Sequence, residues 1–369
     1  MDAEGLLEQL VRIESVSGQE EAAVAFLVEA MSRLGFRAYT DEAGNAVGEL
    51  GDGPDTVVLL GHIDTVPGRV PVRREGPWLY GRGTVDAKGP LAAFVAATAQ
   101  VGPQPGRRFV VVGAVEEEAA TSKGARQVRD RFADAPPSAC IVGEPSGWDR
   151  VTLGYKGRLL VEVTLQQPAG HTAGPHGGVA EAGILLWQAL QAHAETFNAG
   201  RERAFDRLLP SLRRFQTESD GLTDQAHLTI GLRLPPDLER TALEAALEAA
   251  ARRVEAVTPA QVHLTTYGYE PAFRASRQNG LVRAFLAAIR AEGGRPRFVL
   301  KTGTSDMNVV GPVWGCPIVA YGAGDAALDH TPEERIHLGE FRRSIAVLSR
   351  VLQHLPTGGG TVEPPRAVG

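Results

Sequence analysis

Cysteine is scarce. The chain has 369 residues and two cysteines, Cys140 and Cys316, far apart and each in an apolar stretch. Each reads as a buried reduced thiol rather than half of a disulfide, which suits a reducing compartment. Long hydrophobic runs are missing too. No apolar stretch approaches the roughly 20 residues that span a bilayer, so no membrane association is expected. The start, Met1-Asp2-Ala3-Glu4-Gly5, is acidic and lacks a basic n-region, so a signal peptide is not expected and a cytoplasmic location is. There is no surplus of positive charge: the formal net charge is -6, which argues against wholesale nucleic-acid binding. No Gly-x-Gly-x-x-Gly opens a helix after the first strand, which argues against a dinucleotide-dependent oxidoreductase. No internal repeat is visible. What remains is ordinary for a soluble globular protein, 43% hydrophobic and 22% charged, and long enough for one large domain or two.

Hydrophobic periodicity predicts helix over 2–35, broken at Ser15-Val16-Ser17-Gly18. Leu6, Leu7, Leu10 and Val11, then Val24, Leu27, Met31 and Leu34, recur at helical spacing. Short apolar strands are predicted at Thr56–Leu60, Phe109–Val112, Ala139–Val142 and Pro317–Tyr321, with helices such as Gly89–Val101 between them. That alternation describes an α/β domain whose sheet is covered on both faces. From about Val151 the pattern changes. Leu159–Thr164, His227–Leu232 and Val262–Thr266 read as strands of an α+β insertion, accompanied by helices near 179–197 and 236–256. The expected division is 1–152 and 268–369 for the α/β domain and 153–267 for the insertion. The tail from about Thr357 is rich in Gly and Pro, a composition typical of disorder.

The chemistry gathers where strands end. His62 and Asp64 follow the first strand in Gly61-His62-Ile63-Asp64-Thr65-Val66-Pro67. Asp86 lies in Gly81-Arg82-Gly83-Thr84-Val85-Asp86-Ala87-Lys88-Gly89. Glu116-Glu117-Glu118 follow the second strand, Glu144 the third, and His330 lies in a loop after the fourth. Open α/β sheets place their sites at the carboxyl ends of their strands, so one crevice can collect all of these. Each has a plainer reading on its own. A lone His-x-Asp is commonly structural, a run of glutamates suits a helix start, and Glu144 before Pro145 can begin a turn. As an ordered set at strand ends they point to a two-metal hydrolase. Asp86 is the natural bridging carboxylate, and Asp64 can orient the His62 ring. One carboxylate of the glutamate run can take a proton from water and pass it to a leaving amine.

These motifs, together with Val142-Gly143-Glu144-Pro145-Ser146 and Gly170-His171-Thr172-Ala173, resemble the zinc-dependent aminoacylase, succinyl-diaminopimelate desuccinylase and glutamate-carboxypeptidase family across about 1–350. The resemblance implies a di-metal catalytic domain with a mixed sheet flanked by helices, plus an inserted α+β lid and dimerisation domain. His62 and Glu144 would bind one divalent metal and Glu118 and His330 the other, with Asp86 bridging. Zn²⁺ is implied first, and Co²⁺ or Mn²⁺ share such ligands. Glu117 would be the general base, with Asp64 orienting His62 and a cis peptide after Asp86. The family shows Asp-Glu-Glu where this chain has three glutamates, so a register with Glu116 as base and Glu117 as ligand stays open. His171 matches a histidine that reaches a neighbouring subunit's site, which implies a homodimer. Arg233 matches an arginine that binds the substrate carboxylate, and Gly303, Thr304 and Ser305 lie in a matching substrate loop. His176, His193, His227, His263, His337 and His354 match no ligand position.

The compact length, the glutamate run and the segment Lys301–Asn308 look like the branch that releases lysine or ornithine from a small acidic amino-group carrier protein, at the last step of lysine or arginine biosynthesis. Alternatives are a deacylase of acetyl-ornithine, acetyl-lysine or succinyl-diaminopimelate, and a dipeptidase. An acidic carrier calls for a local basic rim, for which Arg150, Lys156, Arg158, Arg233 and Lys301 are candidates.

Overall fold

The structure, a computed structural model, describes residues 2–171, 173 and 177–356. The tail from about Thr357 and His176 lie outside the described residues. The chain divides into two compact units. One is Met1–Gly154, Arg274–Leu300 and Ser305–Gly369; the other is Tyr155–Phe273 with Lys301–Thr304.

The first unit is built on a mixed sheet. Its middle is a parallel run in the order Arg107–Ala114, Asp55–His62, Ala139–Gly143 and Ile318–Tyr321. Antiparallel strands flank it, Ala46–Leu50 and Arg37–Thr40 on one side and Arg150–Tyr155 on the other. The central strands are nearly unbroken apolar runs because helices cover both faces. Helix Lys88–Val101 is buried from Lys88 to Thr98 and apolar around its whole circumference, as a fully enclosed helix must be. It packs against the long helix Leu338–His354, whose first turn is capped by the His337 ring accepting from the N–H groups of Gly339 and Glu340. Phe94 on the central helix is fully buried, and truncating such a ring to alanine costs about 3–5 kcal/mol.

Register decides where these strands release their chains. Gly61 stands opposite both Gly113 and Gly143, and Gly143 opposite Tyr321. His62, Val115 and Glu144 therefore leave the sheet on the same rim. A separate three-stranded sheet, Arg335–His337, Trp78–Tyr80 and Arg73–Glu75, was not foreseen from the sequence. Its strands are three residues each, too short to show a period.

The second unit is an antiparallel sheet in the order Leu209–Ser219, Thr223–Leu234, Gly157–Pro168 and Gln261–Glu270. Leu159, Val161, Val163 and Leu165 alternate inward and meet Ala226, Leu228, Ile230 and Leu232. Helices Val179–Phe197 and Arg240–Val257 supply Leu186, Leu190, Leu243 and Leu247 to that same core. The edge strand Leu209–Ser219 escapes sequence reading because it is largely exposed and polar along its second half. Lys156, a candidate for the basic rim, is instead completely buried. Its ammonium donates to the carbonyls of Ala204, Phe205 and Arg207 around the short turn Ala204–Asp206. Burial pushes it down to about 8.

Among the described residues no helix is long and apolar enough to cross a membrane. Cys140 and Cys316 are both free thiols; Cys140 is buried as expected, whereas Cys316 is only partly buried, because it lies in the bend before strand Ile318–Tyr321 rather than in the strand.

Candidate metal centre

The loop after Tyr80 folds tightly back on itself. Gly83 has φ +85°, and a Cβ there would stand 2.9 Å from Thr65 Cγ2. At Gly89 an added Cβ would stand 2.3 Å from the Thr84 carbonyl oxygen. Those two glycines let the loop pass beneath the strand ends and present Asp86. The Asp86–Ala87 peptide is cis, in accord with the resemblance.

Asp86 sits between two imidazoles. Its Oδ1 is 3.1 Å from His62 Nε2, and its Oδ2 is 2.9 Å from His330 Nε2. The same His330 nitrogen is 2.7 Å from Glu118 Oε1. Two triads result, His62 with Glu117 and Glu118, and Asp86 with Glu118 and His330; within each, the donor atoms lie within 4.8 Å of one another. Glu144 follows Gly143 directly, beside the point where His62 follows Gly61, and is 8% exposed.

Asp64 organises this rim rather than joining the triads. It is fully buried and anchored by three donors: the Ser17 hydroxyl at 2.7 Å and the N–H groups of Glu117 and Glu118 at 3.0 Å each. His62 Nδ1 lies 3.0 Å from the Asp64 backbone oxygen and 3.5 Å from its Oδ1, which turns Nε2 toward Asp86. Glu116 adopts φ +58°, a left-handed conformation uncommon outside glycine. That turn sends its carboxylate to the Thr121 hydroxyl, 2.6 Å away, and toward Lys123 Nζ at 3.8 Å. Its N–H is held by buried Glu20. Of the three glutamates, Glu117 and Glu118 face His62 and Glu116 does not.

The electrostatics are those of a cation trap. Burial, reinforced by the negative charge of Asp86, pushes Glu118 up to about 8. Hydrogen bonds to Asp86 and Glu118 hold His330 up to about 10. At His62, burial opposes the charged form, yet Asp64 and Asp86 raise it well above the ordinary histidine range. Asp86 is desolvated too, but His330 and His62 keep it below the usual carboxylate range. Mixed imidazole and carboxylate donors converging in this way fit Zn²⁺, Co²⁺ or Mn²⁺.

Other expected site residues lie elsewhere. In the second unit Arg233 Nη1 donates to the Thr304 hydroxyl at 2.7 Å, which donates in turn to the Lys156 carbonyl at 3.0 Å. A Cβ on Gly303 would meet nothing within 4 Å. Ser305 caps helix Asp306–Trp314 in the first unit. His171 is exposed, its Nδ1 accepting from the Ala173 N–H. Sequence reasoning passed over Ser17, Glu20 and Glu334. Ser17 sits in the Ser15–Gly18 break and Glu20 two residues past it, at the cap of helix Glu21–Arg33; the glycine signals a turn but not what the turn holds.

Strand-end carboxylates and histidines that close on one another around Asp86 are the donors of a metal-dependent hydrolase. The chain belongs to peptidase family M20/M25/M40, which it matches over residues 58–354. It is 48% identical over 362 residues to the LysW-lysine hydrolase of Deinococcus radiodurans, covering 96% of this chain and 98% of that one. It is 38% identical over 351 residues to a putative LysW-lysine/LysW-ornithine hydrolase of Pyrococcus abyssi, covering 95% and 93%. Among solved structures it resembles an M20 family metallo-carboxypeptidase of Sulfolobus solfataricus, with TM-score 0.76, 17% identity and 96% and 99% coverage. It also resembles the dipeptidase Dug1p of Saccharomyces cerevisiae, with TM-score 0.78, 14% identity and 95% of each chain covered. At those identities the structural likeness speaks for the fold.

Proposed function

We propose that this protein hydrolyses the amide linking lysine, or ornithine, to the γ-carboxyl of the C-terminal glutamate of a LysW-type amino-group carrier protein, freeing the amino acid at the last step of its biosynthesis in the cytoplasm. The observation that carries this reading is the 48% identity to the Deinococcus radiodurans enzyme over nearly the full length of both chains.

His62 and Glu144 would hold one cation and Glu118 and His330 the other, with Asp86 shared and Zn²⁺ the first choice. Two such cations, when bound, supply Lewis acidity that polarises the amide carbonyl and eases deprotonation of water at neutral pH. Glu117 is the general base: it faces His62, receives the proton of the attacking water and delivers it to the departing nitrogen. Asp64 keeps His62 oriented and fixes the backbone of Glu117 and Glu118. Arg233, pre-set by the Thr304 hydroxyl, binds the substrate carboxylate through its planar guanidinium, with Gly303 and Ser305 flanking that threonine in the chain. The protein works as a homodimer in which His171 serves the partner's site.

The test is release of free amine by zinc-loaded protein from carrier bearing γ-linked lysine, run beside acetyl-lysine, acetyl-ornithine and succinyl-diaminopimelate. Release from the carrier alone supports the reading. Release only from a small acyl amino acid replaces it with a deacylase.

A further inference from the structure

Asp86 and His330 reach each other from two loops that diverge from one short ladder. Tyr80 pairs with Arg335, and the Gly81 N–H donates to the Glu334 carbonyl at 3.2 Å. Beyond that point the chain runs on to Asp86 on one side and back to His330 on the other. Glu334 closes the gap. It is 0% exposed, and a carboxylate so buried must be fully paired. Its Oε1 accepts from the N–H of Val85 at 3.0 Å and of Asp86 itself at 3.3 Å. Its Oε2 lies 2.7 Å from Arg82 Nη1. Arg82 in turn donates to the carbonyl of Thr331, the residue after His330, at 3.3 Å, and to that of Gly68 at 3.0 Å. One buried ion pair thus grips the backbone beside both ligands.

We infer that Glu334 and Arg82 are a positioning pair that sets the Asp86–His330 separation needed by the second cation. The inference rests on the ligand assignment proposed above. Buried ion pairs add little net stability compared with apolar packing, whereas partners that orient metal ligands are typically worth 10- to 100-fold in affinity. Glu334 and Arg82 stand in the second role: neither is among the converging donors, and both fix the backbone that carries them.

The experiment is a calorimetric Co²⁺ titration of metal-free protein, wild type against E334A, E334Q, R82M and the control H330A, with kcat and KM measured at each Co²⁺ level. E334A is expected to keep one tight ion and to bind the second roughly 10- to 100-fold more weakly. Its kcat should recover at high Co²⁺ with KM unchanged. E334Q retains an acceptor oxygen and should show a smaller loss, and with R82M it carries the test if E334A does not fold. Wild-type affinity for both ions in these variants overturns the inference. So does loss of both ions together without rescue by Co²⁺, which marks a purely structural role. If H330A itself binds two ions like wild type, the ligand assignment falls first and the positioning pair falls with it.

Discussion

His330 Nε2 stands 2.7 Å from Glu118 Oε1 although 212 residues separate them in the chain. The same nitrogen lies 2.9 Å from Asp86 Oδ2. One imidazole shared by two carboxylates holds a proton tightly, and a divalent cation entering there must displace it, so metal uptake and proton release are coupled.

The glutamate run yields the sharpest prediction. Glu117→Gln is expected to lower kcat by about 10²- to 10⁴-fold, the range for a lost general base, while both metal equivalents remain bound. Glu116→Gln, which alters a carboxylate directed at Thr121 and Lys123, should leave turnover near wild type. Steady-state amine release with metal analysis on both variants decides the matter. The opposite ranking would move the base to Glu116.

Arg233 should govern binding. Arg233→Ala is expected to raise KM by roughly 10- to 100-fold, as for a lost hydrogen-bonded charge pair, with kcat little changed. Arg233→Lys should not restore it, because an ammonium lacks the planar fork. Thr304→Val removes only the hydroxyl that orients the guanidinium and should produce a smaller rise. An unaltered KM in Arg233→Ala would remove this residue from the substrate site.

The proposal that His171 serves the partner's site in a homodimer can be tested by complementation. Glu117→Gln and His171→Ala homodimers should each be nearly inactive. Dissociated and reassembled together, they form mixed dimers in which one site has an intact base and receives a histidine from its partner. Statistical mixing then returns about a quarter of wild-type activity, as expected for a two-fold assembly. No recovery, with mixed dimers present by mass analysis, would show that His171 does not act in trans.

The thiols should be inert in the folded protein. Burial pushes Cys316 up to about 12 and Cys140 well above the ordinary thiol range. Only the thiolate is nucleophilic, so native protein at pH 8 should resist iodoacetamide while denatured protein takes up two equivalents. Rapid native labelling at either position would show that the thiolate is populated and accessible in the folded chain.

The α/β core was legible because its signals are local. Apolar runs such as Val57–Leu60 and Phe109–Val112 can be strands only in a sheet covered on both faces, and the alternation of Leu159–Thr164 marks a half-buried strand of a different layer. The edge strand Leu209–Ser219 and the three-residue strands of the small sheet were illegible for the complementary reason: exposure or brevity erases the period.

At the metal centre the sequence by itself determined which groups were on hand, with acids and histidines placed just past strand ends, where a parallel sheet gathers them. It could not say which two of three adjacent glutamates turn toward His62. The tertiary structure decided that, through the left-handed backbone at Glu116 and the Asp64 carboxylate that draws in the next two N–H groups. The burial of Lys156 under a turn some 50 residues away was likewise a tertiary outcome, as was the grip of Glu334 on Asp86. Hydrophobic period is written in neighbouring residues, but hydrogen-bond partners distant in the chain are chosen only when the fold brings them together.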